Sequence, residues 1–178
     1  MHTFLVYFQR PAGLLPSMLA FGLLLALLFP VPTAAQTEEG MVQLNGIISD
    51  EGLPLPYSTI DIFLDNEIVE SVLADNNGKF ETYLELNGHF VLEFKQEGYL
   101  FKRIIFDTAV PEEQASVPQF EFEVSLYQSQ LLKGSDKSVL DFPAAMIQFS
   151  PKNGAFVFNA EYTKNMQAEI EELLEKTQ

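Results

Sequence analysis

Residues 75–99 read DNNGKFETYLELNGHFVLEFKQEGY. Phe80, Thr82, Leu84 and Leu86 alternate with Lys79, Glu81, Tyr83 and Glu85, and Phe90, Leu92 and Phe94 form a second set of the same kind. A strand turns successive side chains to opposite faces, so this period puts one set in a core and the other in water. Asn77-Gly78 and Asn87-Gly88 each stand between alternating runs, and both residue types tolerate the positive φ of tight turns. The expectation is two successive hairpins forming a meander from residue 68 to about residue 95. A calcium loop is the rival reading of the Asp-Asn-Asn-Gly segment. Placing Gly78 at the invariant glycine of a twelve-residue loop puts Leu73 and Leu84 at its two end ligand positions, where neither can bind a cation.

The same alternation recurs outward from this stretch. MVQLNGIIS (41–49) places Val42, Leu44, Gly46 and Ile48 on one face, and STIDIFLD (58–65) does so with Ile60, Ile62 and Leu64. QFEFEVSLY (119–127) sets Phe120, Phe122, Val124 and Leu126 against Glu121, Glu123 and Ser125, whereas 68–74 and 100–107 are mixed. Seven such runs separated by turn signals predict an all-β fold, a seven-stranded antiparallel Greek-key sandwich.

The ends of the chain read differently. The first 35 residues carry one basic side chain, Arg10, then a long apolar run closed by Pro30, Pro32, Thr33 and Ala35. That layout is a signal peptide over 1–35, cleaved to leave Gln36; an uncleaved anchor over 14–35 is the alternative. Cleavage leaves no stable membrane span, and the protein is expected to be exported: periplasmic, outer-membrane associated or secreted. The sandwich domain is assigned to 36–128, a polar linker to 129–139, and a hairpin around Ser-Pro-Lys-Asn-Gly followed by an amphipathic helix to 140–178. Tyr162, Met166, Ile170, Leu173 and Leu174 make one stripe at helical spacing. That stripe either docks on its own domain or meets a partner.

Charge and composition narrow the function. Beyond residue 35 the chain has nine Lys and Arg against 25 Asp and Glu, a formal charge of −16. This excludes nucleic acid, which is bound by neutralising phosphates. Cysteine is absent, so disulfides and thiol chemistry are excluded. His89 is the only histidine after residue 35, no Gly-x-Ser-x-Gly turn presents a serine, and the acids follow solvated strand faces rather than forming a pair. The expectation is therefore no catalytic residue, no metal and no cofactor.

The segments Gly46-Ile47-Ile48-Ser49-Asp50, Gly52-Leu53-Pro54-Leu55-Pro56-Tyr57-Ser58-Thr59-Ile60, Asp75-Asn76-Asn77-Gly78-Lys79-Phe80, Gly88-His89-Phe90-Val91-Leu92 and Gly98-Tyr99 together resemble the carboxypeptidase regulatory-like domain. That family is a transthyretin-like (prealbumin-like) sandwich which accompanies metallocarboxypeptidases or precedes outer-membrane receptors. The resemblance covers about residues 41–127 and implies that Gly46, Gly52, Pro54, Asp75, Asn77, Gly78, Asn87, Gly88 and Gly98 are structural turn residues. It specifies a fold rather than an activity. Three roles fit: an envelope module binding a protein partner by a sheet edge, the 140–159 hairpin or the helix; a glycan- or cell-wall-binding module using Tyr57, Tyr83, Tyr99 and Tyr127; and a calcium-stabilised structural module.

Overall fold

The computed structural model describes residues 40–114, 116–132 and 138–176; the expected signal peptide and the middle of the expected linker lie outside them. The strands are β1 (Met41–Asp50), β2 (Leu53–Pro54), β3 (Thr59–Leu64), β4 (Glu67–Leu73), β5 (Lys79–Glu85), β6 (His89–Lys95), β7 (Lys102–Asp107), β8 (Phe120–Ser125), β9 (Ala145–Ser150) and β10 (Ala155–Phe158). One helix, α1 (Ala160–Glu175), follows them. In one sheet β1 carries β2, β5 and β8; the other runs β10-β9-β7-β6-β3-β4. The result is an all-β sandwich with a C-terminal helix, as the alternation predicts.

The inward sets behave as their period demands. Val42, Leu44 and Ile48 of β1, Ile60 and Ile62 of β3, and Phe90, Leu92 and Phe94 of β6 are buried. Aromatic rings close the gap between the layers. Phe80 of β5 meets Phe94 of β6 at 5.7 Å between centroids, and Phe106 of β7 meets Phe120 of β8 at 5.5 Å. Such tilted and edge-on pairs add to the burial of the rings themselves. Gly46 belongs to this packing. It lies directly opposite Phe80 across the β1–β5 ladder, and a Cβ there would fall 2.4 Å from the Phe80 ring.

Four features differ from the sequence expectation. First, Asn77-Gly78 and Asn87-Gly88 reverse the chain without making hairpins. Each joins the two sheets, because β5 pairs with β1 while β4 and β6 pair with β3. Positive φ specifies a reversal, not the strand that will be paired. The two-residue hairpins lie instead at Glu51-Gly52 and Asp65-Asn66, where all four residues have positive φ. Second, two ladders are parallel, β1 with β8 and β7 with β9, so the sandwich is not purely antiparallel. Third, more strands form than the seven expected: the 140–159 hairpin, β9 and β10, extends the larger sheet instead of standing apart. Its Phe156 lies 5.1 Å from Phe106 and its Phe158 lies 5.6 Å from Phe120. Fourth, the start of the expected linker packs inward: Leu132, in the 3-10 turn Ser129–Leu132, is fully buried.

Candidate functional site

The glycine- and Asx-rich positions act as connectors. The Asp75 carboxylate accepts the backbone N–H groups of Asn77 and Lys79, each at 2.8 Å. Those bonds, the one to Lys79 foremost, hold its carboxyl below the usual carboxylate range. Gly78 has φ +71°, and a Cβ on it would lie 2.5 Å from the Ile48 carbonyl oxygen. Asn87 has φ 64°, and the Gly88 N–H donates to the Thr108 hydroxyl at 2.8 Å. Thr108, which no sequence pattern marks, is fully buried and ties the β5–β6 connection to the exit of β7. Gly52 and Gly98 take positive φ in open space, and Pro54 lies opposite Ser49 on the short β2.

The helical stripe is turned onto its own domain. Met166 and Ile170 are buried, and Tyr162, Leu173 and Leu174 are half-buried. The Tyr162 hydroxyl donates to the Pro143 carbonyl at 2.8 Å, and Asn159 caps the helix by accepting the Tyr162 N–H. A 16-residue helix is marginal alone and gains its stability by covering an apolar surface. Met166 and Ile170 are thus occupied by the domain itself, while Tyr162, Leu173 and Leu174 stay partly open beside them.

The tyrosines are not all turned to solvent. Tyr57 and Tyr83 are exposed, but Tyr99 donates to Asp50 and Tyr127 lies half-buried beneath the Lys102 ammonium, not outward as its strand pattern predicts. His89 is exposed beside Asp107 at 3.4 Å. Among the described residues, no three His, Asp or Glu side chains converge into a metal-binding group, and no helix is long and apolar enough to cross a membrane.

What the fold leaves presented is β4. It ends the larger sheet, with β3 as its paired neighbour, and six of its seven residues are exposed. Ile68, Val69 and Leu73 are more than half exposed, at 55%, 55% and 62%. Of the other terminal strands, β5 shows Lys79, Glu81 and Glu85 and β8 shows Glu121 and Glu123, while β2 and β10 each present one exposed apolar side chain, Leu53 and Phe158. An edge strand presents alternate backbone N–H and C=O groups that a second chain can pair.

This edge is held on both faces. On the outer face the Ser71 hydroxyl donates to Asp61 at 2.7 Å, the Lys95 ammonium binds the other Asp61 oxygen, and Arg103 bonds Glu93 at 2.7 Å. The row thus crosses four strands, since Asp61 lies opposite both Ser71 and Glu93, and Glu93 lies opposite Arg103. The hydrogen bond from Lys95 is the main reason that the nearly buried Asp61 carboxyl lies below its ordinary range, against the opposing effect of burial. On the inner face Thr82 donates to Glu70 at 3.1 Å and Val72 packs on the core. A bulge at Val69, between the Glu70 and Ile68 pairings, interrupts the ladder. Bulges and edge charges such as Glu67 and Glu70 oppose indiscriminate strand addition.

No protein-family model matches the chain. No curated protein matches it either. Among solved structures it is similar to the TIE protein of Bacillus anthracis (17% identity, TM-score 0.39), the match covering 49% of this chain and 17% of that one. It is also similar to catechol 1,2-dioxygenase from an Acinetobacter species (16%, TM-score 0.39, 62% and 59%). A third match is a type II cohesin–X-dockerin complex from Acetivibrio cellulolyticus (15%, TM-score 0.35, 53% and 63%). The chain spans less than two thirds of each of these structures.

Proposed function

We propose that this chain is an exported, non-catalytic β-sandwich module of the cell envelope that holds a protein partner by pairing an extended segment of it with β4. The observation that carries this reading is the β4 edge itself: a terminal strand, braced on both faces, that presents Ile68, Val69 and Leu73 to solvent. Strand addition draws affinity from backbone hydrogen bonds and selectivity from alternate side chains. A braced edge suits this role, because little order remains to be imposed when the partner binds. With a formal charge of −16 beyond residue 35, the partner segment that fits best is basic. Export rests on the sequence layout of residues 1–35, and the carboxypeptidase regulatory-like assignment on the glycine and Asx positions that make the connections.

The test is site-specific photocrosslinking in cells making the full-length protein. A photoreactive residue at Val69 or Leu73 should give one discrete protein adduct that is absent when the same residue stands at Glu121. Adducts that are equal at all three positions, or absent from both β4 positions, would refute the edge-pairing function.

A further inference from the structure

A cavity of about 470 Å³ lies where β7, β8 and β9 meet α1, at the other end of the larger sheet's strand order from β4. Its walls are mainly apolar, from Ile104, Val124, Ala145, Phe158 and Ile170. One polar group in them lacks the partner that such a position normally has.

That group is Lys102, at the start of β7. Its ammonium donates to the Ser125 carbonyl and stands 4.8 Å from the centre of the Tyr127 ring. Among the described residues no carboxylate forms an ion pair with it, although the protein is strongly acidic. Lys102 is half-buried, and a cation drawn that far out of water normally has such a partner. Burial alone draws the Lys102 ammonium down from 10.5 to about 8. An ammonium has three N–H donors, so the carbonyl and the ring leave capacity for another acceptor.

The charges around the cavity indicate what would complete it. Lys102 and Lys164 contribute two positive charges and Glu123 one negative, so the lining favours a single negative charge. A phosphate or other polyanion would oppose Glu123, and a metal ion would oppose both lysines. The volume is within the range of small-molecule sites, which combine apolar walls with a few polar anchors. We infer that this cavity binds a small amphiphilic monocarboxylate, its carboxylate on the Lys102 ammonium and its apolar body among Ile104, Val124, Ala145, Phe158 and Ile170. The inference does not depend on pairing at β4, and either can fail without the other.

Calorimetric titration of the full-length protein with octanoate tests it, with octanol and octylamine as uncharged and cationic controls. Octanoate should bind saturably at one site while neither control does. Lys102→Met, which keeps most of the side chain's length without its charge, should weaken octanoate at least tenfold. Lys102 faces Glu123 from β8, Tyr127 beyond it, and Lys164 from α1, with Glu171 of α1 acting on Tyr127. Of these, the Lys102 ammonium is the one that titrates near pH 8, so affinity should fall as pH rises from 7 to 9.5 and should not do so in Lys102→Met. Thermal melts followed by circular dichroism establish that the variant folds. If Lys102→Met does not fold, the wild-type preference for octanoate over octylamine and its pH profile decide the matter. No saturable binding, equal binding of octylamine, or full affinity in a folded Lys102→Met protein would overturn the assignment.

Discussion

Replacing Gly78 by Ala should be among the most damaging single-methyl changes in the sandwich. The backbone there has φ +71°, a left-handed conformation that costs a non-glycine residue about 1–2 kcal/mol. The added Cβ would also lie 2.5 Å from the Ile48 carbonyl oxygen and 3.1 Å from the Leu55 nitrogen, both backbone atoms that cannot rotate away. That carbonyl accepts the Leu55 N–H at 2.9 Å, and the Ile48 N–H donates to the Gly78 carbonyl at 2.8 Å. Moving the strands apart weakens both bonds, each contributing about 1 kcal/mol net. The total is about 3–4 kcal/mol, a large share of the ~5–15 kcal/mol by which domains are stable. With a urea slope of about 2 kcal/mol per molar, the unfolding midpoint should fall by about 1.5–2 M. Gly52→Ala is the matched control. Its φ is +82° but nothing lies within 4 Å of its Cβ, so it should lose only the backbone term of about 1–2 kcal/mol. Equal losses in the two variants would refute the argument that close approach of β1, rather than backbone conformation alone, requires glycine at position 78.

Acid should act through Asp75. A carboxyl held below its ordinary range stabilises the fold fully above its unfolded pKa of about 3.9, and the contribution is lost as pH falls through the lower folded value. Wild type should therefore lose melting temperature more steeply than Asp75→Asn between pH 5 and pH 2; parallel curves would show that the Asp75 turn does not sense protonation. The docked helix makes a separate prediction. Ile170→Ala, at a buried position of α1, should cost about 2–4 kcal/mol in thermal or urea unfolding. Its exposed neighbour Glu171→Ala should stay within about 0.5 kcal/mol. A neutral Ile170→Ala would mean that the helix does not rest on the sandwich.

The residues that alternate in the sequence alternate in the fold, because the period of two is a local property of extended backbone. Phe80, Thr82 and Leu84, then Phe90, Leu92 and Phe94, face the core as their spacing requires. The reversals at Asn77-Gly78 and Asn87-Gly88 were equally legible, since positive φ at each is a demand on one or two residues. What each reversal joins was not. Backbone hydrogen bonds are blind to side-chain identity, so nothing local says that β5 pairs with β1 rather than with β4 or β6. The parallel β1–β8 and β7–β9 ladders escape sequence reasoning for the same reason. The candidate edge was half visible: the mixed pattern of 68–74 lacks a clean inward face, and the structure shows why, since β4 ends its sheet with both faces of the strand near solvent. The helical stripe could be read from its spacing, yet whether it met this domain or another depended on the apolar surface left by β9 and the segments before it. Lys102 was the least legible of all. In sequence it is one of several lysines, and only the approach of β8 and α1 leaves it half-buried without an acidic partner. The sequence by itself determined which side chains turn inward and where the chain reverses, because those are matters of adjacent residues. The tertiary structure alone decided which strands pair, which edge stays open and which charge is enclosed, because those depend on residues brought together from distant parts of the chain.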